Sequence, residues 1–166
     1  KADLVVANNN SGSVSVFINN GNGTFATKVD YSSADNPYSL AIGDLNGDGK
    51  ADIAVPNYLT NNVSIFLNNG NGTFATKTDY AVTGPSHPRS IAIGDLNGDG
   101  KLDFATANLT SASVTVFINK NNGTFATSIV YHPGGDNPVS IAIGDLNGDG
   151  KPDLATADTN SAATSV

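Results

Sequence analysis

Cysteine, methionine and tryptophan are absent from this 166-residue chain, and so is glutamate: all fifteen acidic residues are aspartate. Without cysteine the chain can form no disulfide, no thiolate metal site and no cysteine nucleophile. The lack of glutamate and the abundance of Asn, Thr, Ser and Gly disfavour helices and favour strands and turns. We therefore expect an all-β protein with almost no helix.

Basic residues are also scarce. Eight Lys and Arg residues stand against the fifteen Asp residues, which gives a formal net charge of −7, and the basic residues are scattered. Binding to nucleic acid requires clustered Lys or Arg, so no nucleic-acid partner is expected. No stretch approaches the roughly 20 apolar residues that a membrane-spanning helix needs, so we expect no membrane insertion. The length is sufficient for one domain with a core.

An internal repeat organises the chain. The string IGDLNGDGK occurs at Ile42–Lys50, Ile93–Lys101 and Ile143–Lys151, and its first Asp recurs after 51 and then 50 residues. Such a period indicates one supersecondary unit per repeat. We predict a single repeat region, residues 1–166, with repeats at about 1–49, 50–100 and 101–150 and a partial repeat at 151–166.

Each repeat predicts four short strands. In the unit that starts at Tyr38 these are Ser39–Leu45, Asp52–Asn57, Asn62–Asn68 and Thr73–Tyr80, and we call this the complete unit. These segments show β-type alternation or follow turn residues. An Asn-Gly-rich turn typical of tight hairpins separates the last two strands. Four antiparallel strands in a unit of this length are typical of a β-propeller blade. Because three and a fraction blades cannot close a ring, we expect a fragment of a larger propeller or a ring completed by other chains.

The loop between the first two strands carries the chemistry. Side-chain oxygens stand at its first, third, fifth and ninth positions, and a glycine at the sixth allows a sharp turn. This is the first half of an EF-hand pattern, in which Ca²⁺ takes six to eight oxygens, one of them the backbone carbonyl at position seven. We expect the side chain of that seventh residue, a lysine, to face water. Three carboxylates that converge would repel one another unless a divalent cation neutralised them.

About three structural Ca²⁺ sites are therefore predicted. Each would use the side chains of positions one, three, five and nine and the lysine carbonyl at position seven. The predicted ligands are Asp44, Asn46, Asp48, Lys50 and Asp52 in the first loop, Asp95, Asn97, Asp99, Lys101 and Asp103 in the second, and Asp145, Asn147, Asp149, Lys151 and Asp153 in the third. Lys1-Ala2-Asp3 matches the end of this loop, so only Asp3 of a fourth ligand set is present.

The segments AIGDLNGDGKADIAV, IAIGDLNGDGKLDFATAN and NNGNGTFATK closely resemble FG-GAP/VCBS repeats, the blade units of integrin α-like propellers and of many bacterial secreted proteins. The resemblance covers essentially the whole chain. It implies that each unit is one blade, that the Asp loop joins the first two strands on one face of the disc, and that Ca²⁺ stiffens this loop. The truncated first loop and the incomplete blade count depart from the family pattern.

These observations favour a calcium-binding extracellular or cell-surface propeller module that serves as an adhesion or ligand-binding scaffold, with an unknown protein or glycan ligand. One alternative is a structural surface protein that assembles chain to chain through open blade edges into a fibre or ring. Another is a lectin or the accessory domain of a carbohydrate-active enzyme. We expect no enzymatic activity, because no Ser/His/Asp arrangement recurs and the metal loops already occupy the Asp pairs.

Two weaker signals have simple structural explanations. His87 and His132 lie beside prolines in the connections between repeats, near Arg89, Tyr31, Tyr80 and Tyr131, where a ligand pocket could form. An exposed loop histidine beside a rigid turn explains them more simply. The Asn-Gly-Thr glycosylation sequons at Asn22, Asn71 and Asn122 are explained by the hairpin turns that contain them.

Overall fold

The computed structural model describes residues 1–33, 35–120, 122–126, 128–159 and the backbone of 164–165. Fourteen strands make up four antiparallel sheets, and the described residues contain no other helical element than a 3₁₀ turn at Asn9–Ser11. None of the described residues form a helix that is long and apolar enough to cross a membrane. The all-β prediction is confirmed.

Each sheet is a meander of consecutive strands. The first sheet contains β1 (Leu4–Asn8), β2 (Ser13–Phe17) and β3 (Val29–Ser32), and the second contains β4 (Ala41–Gly43), β5 (Asp52–Asn57), β6 (Asn62–Phe66) and β7 (Thr78–Ala81). The third contains β8 (Pro88–Gly94), β9 (Asp103–Asn108), β10 (Ser113–Phe117) and β11 (Ile129–Tyr131). The fourth contains β12 (Pro138–Gly144), β13 (Asp153–Asp158) and β14 (Thr164–Ser165). We call these sheets blades 1 to 4.

The predicted strands of the complete unit need two adjustments. The second strand has the predicted bounds and the first and third are shorter at their ends, but the fourth begins at Thr78 instead of Thr73. Phe74 instead forms an isolated bridge with Asn68, which closes the Asn-Gly turn. Blades 2, 3 and 4 also cross the predicted repeat boundaries, because the first strand of each precedes the Asp loop and the other strands follow it.

Apolar side chains from neighbouring blades form three separate cores. The largest lies between blades 2 and 3, where Phe104 is fully buried and stacks on Phe117 with ring centroids 4.6 Å apart. Val14 and Val16 pack against Ile53 between blades 1 and 2. Ala105 and Ala107 belong to the core that contains Ile141 of blade 4. The cores therefore stack the blades on one another, as in a propeller.

The side of blade 1 that faces away from blade 2 is exposed. Leu4 and Val6 are 51% and 44% exposed, whereas the equivalent Ile53 and Val55 of blade 2 are 2% and 0% exposed. The difference arises because each blade covers this face of the blade that follows it. Blade 1 has no covering blade within the described residues.

Hydrogen bonds also join consecutive blades. The Phe74 amide donates to the hydroxyl oxygen of Tyr31 over 3.3 Å, and the Tyr80 hydroxyl donates to the Gly123 carbonyl over 3.3 Å. In both cases a tyrosine of the last strand in one blade contacts the Asn-Gly turn of the next blade. These two tyrosines therefore hold the outer edges of the blades together.

Candidate metal centre

The three Asp loops lie at the same end of their sheets, because each joins the first strand of a blade to the second. In the first loop Asp44 Oδ1 accepts hydrogen bonds from the amides of Gly47 and Asp48, and its Oδ2 accepts one from Gly49. Side-chain oxygens of Asn46 and Asp48 accept from amides two residues further on. The side chains at positions one, three and five therefore curl the backbone around themselves.

The second and third loops repeat this curl. Asp95 and Asp145 each accept from the glycine amides at loop positions four and six. These backbone hydrogen bonds, those from Gly100 and Gly150 first, hold the pKa of both carboxyls below its usual value. The loops are thus built to keep the first carboxylate ionised.

The ninth residue of each loop has a different environment. Asp52 and Asp103 are fully buried. Asp103 Oδ2 accepts from the Leu96 amide and Oδ1 from the Asn119 amide, both over 2.8 Å, and Asp52 makes the same two bonds to Leu45 and Asn68. Each of these carboxylates therefore ties its loop to the hairpin turn of the same blade.

Burial is the main reason that the pKa values of Asp52 and Asp103 are raised, and the charges of the two nearest loop carboxylates raise them further. The three carboxylates of each of these loops therefore already interact electrostatically. A divalent cation would reduce the repulsion between the three carboxylates. It would also offset the loss of hydration of the buried ninth carboxylate. This coupling is the observation that makes the donor set suitable for a hard cation such as Ca²⁺.

The structure brings the predicted ligands of each loop into one turn but does not gather them around one point. Among the described residues no group of three or more His, Cys, Asp or Glu side chains is close enough to hold a metal ion. Asp52 and Asp103 use both oxygens as acceptors, although each carboxylate oxygen has a second acceptor position. The prediction of three Ca²⁺ sites stays a prediction at this stage.

One detail of the first loop differs from expectation. The Lys50 side chain does not simply face water: its Nζ lies 3.0 Å from Asp48 Oδ2. The hydrogen bond from Lys50 is the main reason that the pKa of Asp48 is lowered. Lys50 thus supplies a positive charge to this exposed carboxylate, and a divalent cation of higher charge would displace it.

The truncated loop at the start of the chain keeps the hydrogen bonds that the ninth loop residue makes to the hairpin turn. Asp3 Oδ1 accepts from the Asn19 amide over 2.8 Å, and Asn19 Nδ2 donates to the Ala2 carbonyl over 2.8 Å. Asn68 makes the equivalent bonds to Asp52 and to the Ala51 carbonyl. The equivalence of the two segments explains why Asp3 retains a fixed partner without a ligand set.

The tyrosines and histidines noted in the sequence do not form one pocket. Tyr31 and Tyr80 pack between blades, against Phe74 and Phe125 respectively. His87 stacks on Tyr58, whereas His132 and Tyr131 line a different cavity. Sequence reasoning missed Tyr38 and Tyr58, which join His87 and Arg89 in one cluster at the opposite end of the blades. A comparison of equivalent repeat positions could have found this cluster.

The fold and the loops define a class: a β-propeller-type repeat protein with Asp-rich loops between its first two strands. The FG-GAP-like repeat model matches residues 1–55, 57–106 and 95–156, so the chain belongs to the FG-GAP-like repeat family. Comparison with curated proteins gives no significant match.

Several solved structures share the fold. An Agrocybe aegerita lectin, solved for its specific recognition of non-reducing terminal N-acetylglucosamine, is 26% identical with a TM-score of 0.63 and matches 93% of this chain. The Photorhabdus luminescens Tc holotoxin pore is 21% identical over 98% of the chain, with a TM-score of 0.56. BBS1N, from its complex with ARL6DN, is 13% identical over 94%, with a TM-score of 0.58. The chain spans 42%, 8% and 46% of these three chains.

In metal-free protein we predict that Asp52 and Asp103 titrate above 3.8 and that Asp95 and Asp145 titrate below it. The stabilisation from Asp95 and Asp145 is present above 3.8 and is lost as pH falls through their lowered pKa values. The contribution of Asp52 and Asp103 has the opposite sign, because it is present at low pH and is lost as pH rises through their raised pKa values. Carboxyl ¹³C shifts, followed by NMR during a pH titration, measure all four values. The reverse order of the two pairs would contradict the assigned environments.

Proposed function

We propose that the chain is a calcium-binding propeller module in which Ca²⁺ at the three Asp loops stiffens one face of the blades. The observation that carries the proposal is the geometry of the first two loops, where the first carboxylate curls the backbone and a buried carboxylate at the ninth position closes the loop. The charges of the other loop carboxylates add to burial in raising the pKa of that ninth carboxyl. Oxygen donors in a curled loop of this spacing suit Ca²⁺ better than Mg²⁺, which requires a smaller and stricter octahedral shell.

The proposed Ca²⁺ has a structural role and the module has no catalytic one. Leu45, at the second position of the first loop, is 1% exposed and packs in the core between blades 2 and 3. A cation that fixes the loop therefore also fixes a side chain that joins two blades. Extracellular Ca²⁺ is millimolar, which suits weak sites of this kind, so we place the protein outside the cell or on its surface as a binding scaffold.

Calorimetric titration with Ca²⁺ tests this proposal. We expect three ions per chain for the unaltered protein and two for Asp99→Ala, because the fifth-position carboxylate is lost from one loop only. Asp136→Ala is the matched control, since Asp136 is an exposed aspartate outside the loops and its loss should leave the count at three. A count of three in Asp99→Ala, or no uptake by the unaltered chain, would refute the ligand assignment.

A second candidate function is saccharide binding. The specific observation in its favour is the similarity to a lectin at 26% identity over 93% of this chain. Since one fold supports many functions, the likeness needs a site of its own in this chain. The cluster at the opposite end of the blades from the Asp loops offers such a site.

A further inference from the structure

The three copies of the repeat are nearly identical where the chain enters each blade. The segments 36–50, 87–101 and 137–151 are aligned without a gap over fifteen residues and differ at only three positions. The differing residues are Asn36, His87 and Asn137, then Tyr38, Arg89 and Val139, and finally Leu40, Ile91 and Ile141. The third set exchanges one apolar core residue for another. The first two sets change chemistry, so these are the positions of this segment at which the repeats can differ in what they bind.

The second set lies near the start of the first strand of each blade, where strand pairing is irregular. Arg89 and Val139 lie at register shifts that follow Pro88 and Pro138. Such β-bulges change the direction of a side chain and recur beside binding sites. Tyr38 holds the same position after Pro37, which pairs with Asn57 in an isolated bridge.

These bulge residues meet in one cavity. The first strands of blades 2, 3 and 4 contact one another in sequence, β4 with β8 and β8 with β12. A cavity of about 310 Å³ lies where these first strands begin. Its walls are formed by Tyr38, Arg89, Val139 and the hydroxyl-bearing Ser39 and Ser90. This volume is at the lower end of the range for small-ligand pockets.

Arg89 is the only arginine of the chain. It is half-buried, its guanidinium carbon lies 5.5 Å from the centre of the Tyr38 ring, and it forms no ion pair with any described residue. A guanidinium presents a planar fork of donors that matches a carboxylate. In a chain with a formal net charge of −7, this unpaired cation is the local feature that can attract an anion.

Two further side chains position the Tyr38 ring. Tyr58 contacts it edge-on, with centroids 5.2 Å apart, and His87 stacks on Tyr58 at 4.6 Å. His87 shares a hydrogen bond of 2.6 Å with Thr110 and has φ of 50°. The equivalent positions hold Asn36 and Asn137, each at φ of 55°. Asparagine and histidine both accept this left-handed conformation more readily than most residues, and the histidine here adds a ring that stacks on Tyr58.

We propose that this cavity binds an acidic saccharide, with a uronic acid carboxylate on Arg89 and the C–H face of the sugar on Tyr38. A half-exposed aromatic ring, the Ser39 hydroxyl and an unpaired guanidinium together match the apolar face, hydroxyls and charge of such a sugar, while the buried Ser90 hydroxyl accepts from the Ile141 amide. The inference rests on the saccharide-binding candidate above and adds the ligand class and the residues. Tyr58 and His87 act as positioning residues that hold Tyr38.

Calorimetric titration with oligogalacturonate in Ca²⁺-free buffer tests the site, because Ca²⁺ would bind the carboxylates of the oligosaccharide itself. We expect the unaltered chain to bind it, and the methyl-esterified form, which has the same shape without the charge, to bind about tenfold more weakly. Arg89→Val inserts the residue that the next repeat carries at this position, so the fold should tolerate it, and binding should fall by a similar factor. Lys120→Gln removes one positive charge at the Asp-loop end and should leave binding unchanged.

A second pair of variants separates binding from folding. Arg89→Lys should restore only part of the affinity, since an ammonium lacks the planar fork. His87→Asn uses the residue found in the other repeats and should leave the melting temperature nearly unchanged while it weakens binding. Equal affinity for the acid and its ester, equal affinity of Arg89→Val and the unaltered chain, or binding of an acidic peptide but not of oligogalacturonate would overturn the inference. Uptake of three Ca²⁺ without oligogalacturonate binding would overturn this inference alone and leave the calcium proposal standing.

Discussion

Phe104→Ala is expected to destabilise the chain by about 3–5 kcal/mol, the usual loss when a buried phenylalanine is truncated to alanine. Phe104 is fully buried. Its ring lies 4.6 Å from both Phe117 and Phe125, all in the core between blades 2 and 3. Removal of the ring opens a cavity that the rigid sheets on either side cannot fill. Urea unfolding followed by circular dichroism measures the loss.

The repeat supplies a matched control for this substitution. Leu4 occupies the position in blade 1 that Phe104 occupies in blade 3, but it is 51% exposed. Leu4→Ala should therefore cost less than about 1 kcal/mol, as surface substitutions usually do. Similar losses for the two variants would show that the blades do not stack through the cores described above.

Asp103→Ala is expected to have the second large effect. It should lower the free energy of unfolding by about 2–4 kcal/mol in calcium-free protein. The substitution leaves the Leu96 and Asn119 amides without their carboxylate acceptor, and a buried polar group without a partner costs about 1–3 kcal/mol. Asn119 in turn donates through Nδ2 to the Leu45 carbonyl over 2.7 Å. Loss of Asp103 therefore also loosens a bond between blades 2 and 3. The free energy of unfolding in urea with a chelator present gives the number.

The aspartates at the equivalent position of the other blades differ in burial, so the size of the loss can be compared among them. Asp52 is as buried as Asp103, Asp153 is half-buried and Asp3 is exposed. The same substitution should therefore cost most at Asp103 and Asp52, less at Asp153 and least at Asp3, whose amide partner Asn19 lies at the surface. An equal loss at all four positions would contradict burial as the cause. When Ca²⁺ is present, the difference in unfolding free energy between the unaltered protein and the Asp103→Ala or Asp52→Ala variant should grow, because Ca²⁺ stabilises the unaltered protein more.

The sequence alone predicts the blade because the local signals agree with one another. The Asp loop, the Asn-Gly turn and the alternation in Asn62–Phe66 all indicate antiparallel meanders, and the structure confirms them. The start of the fourth strand was placed wrongly, because the turn continues through the bridge between Asn68 and Phe74. A bridge of this kind depends on pairing that a propensity pattern does not contain.

The spacing within the Asp loop predicts which oxygens share a turn. The ninth residue is both a candidate ligand and a buried acceptor that joins the loop to the hairpin turn, and its second role depends on tertiary structure. Asp103 is fully buried, and its bond to Asn119 joins residues that are 16 positions apart along the chain. The cluster around Arg89 was missed for a similar reason, since Tyr38 and Tyr58 meet it only when successive blades stack. Chain-to-chain assembly through open blade edges stays a prediction.

Thermal unfolding of the unaltered chain in Ca²⁺, in Mg²⁺ and in a chelator tests the central claim most directly. An ion that binds the folded loops stabilises them by mass action, by about 2.7 kcal/mol per site at 100 times its dissociation constant. We expect a melting temperature that rises with Ca²⁺ concentration, rises much less with Mg²⁺ and returns to its starting value on chelation. Identical unfolding curves in all three conditions would contradict a structural role for Ca²⁺ in these loops.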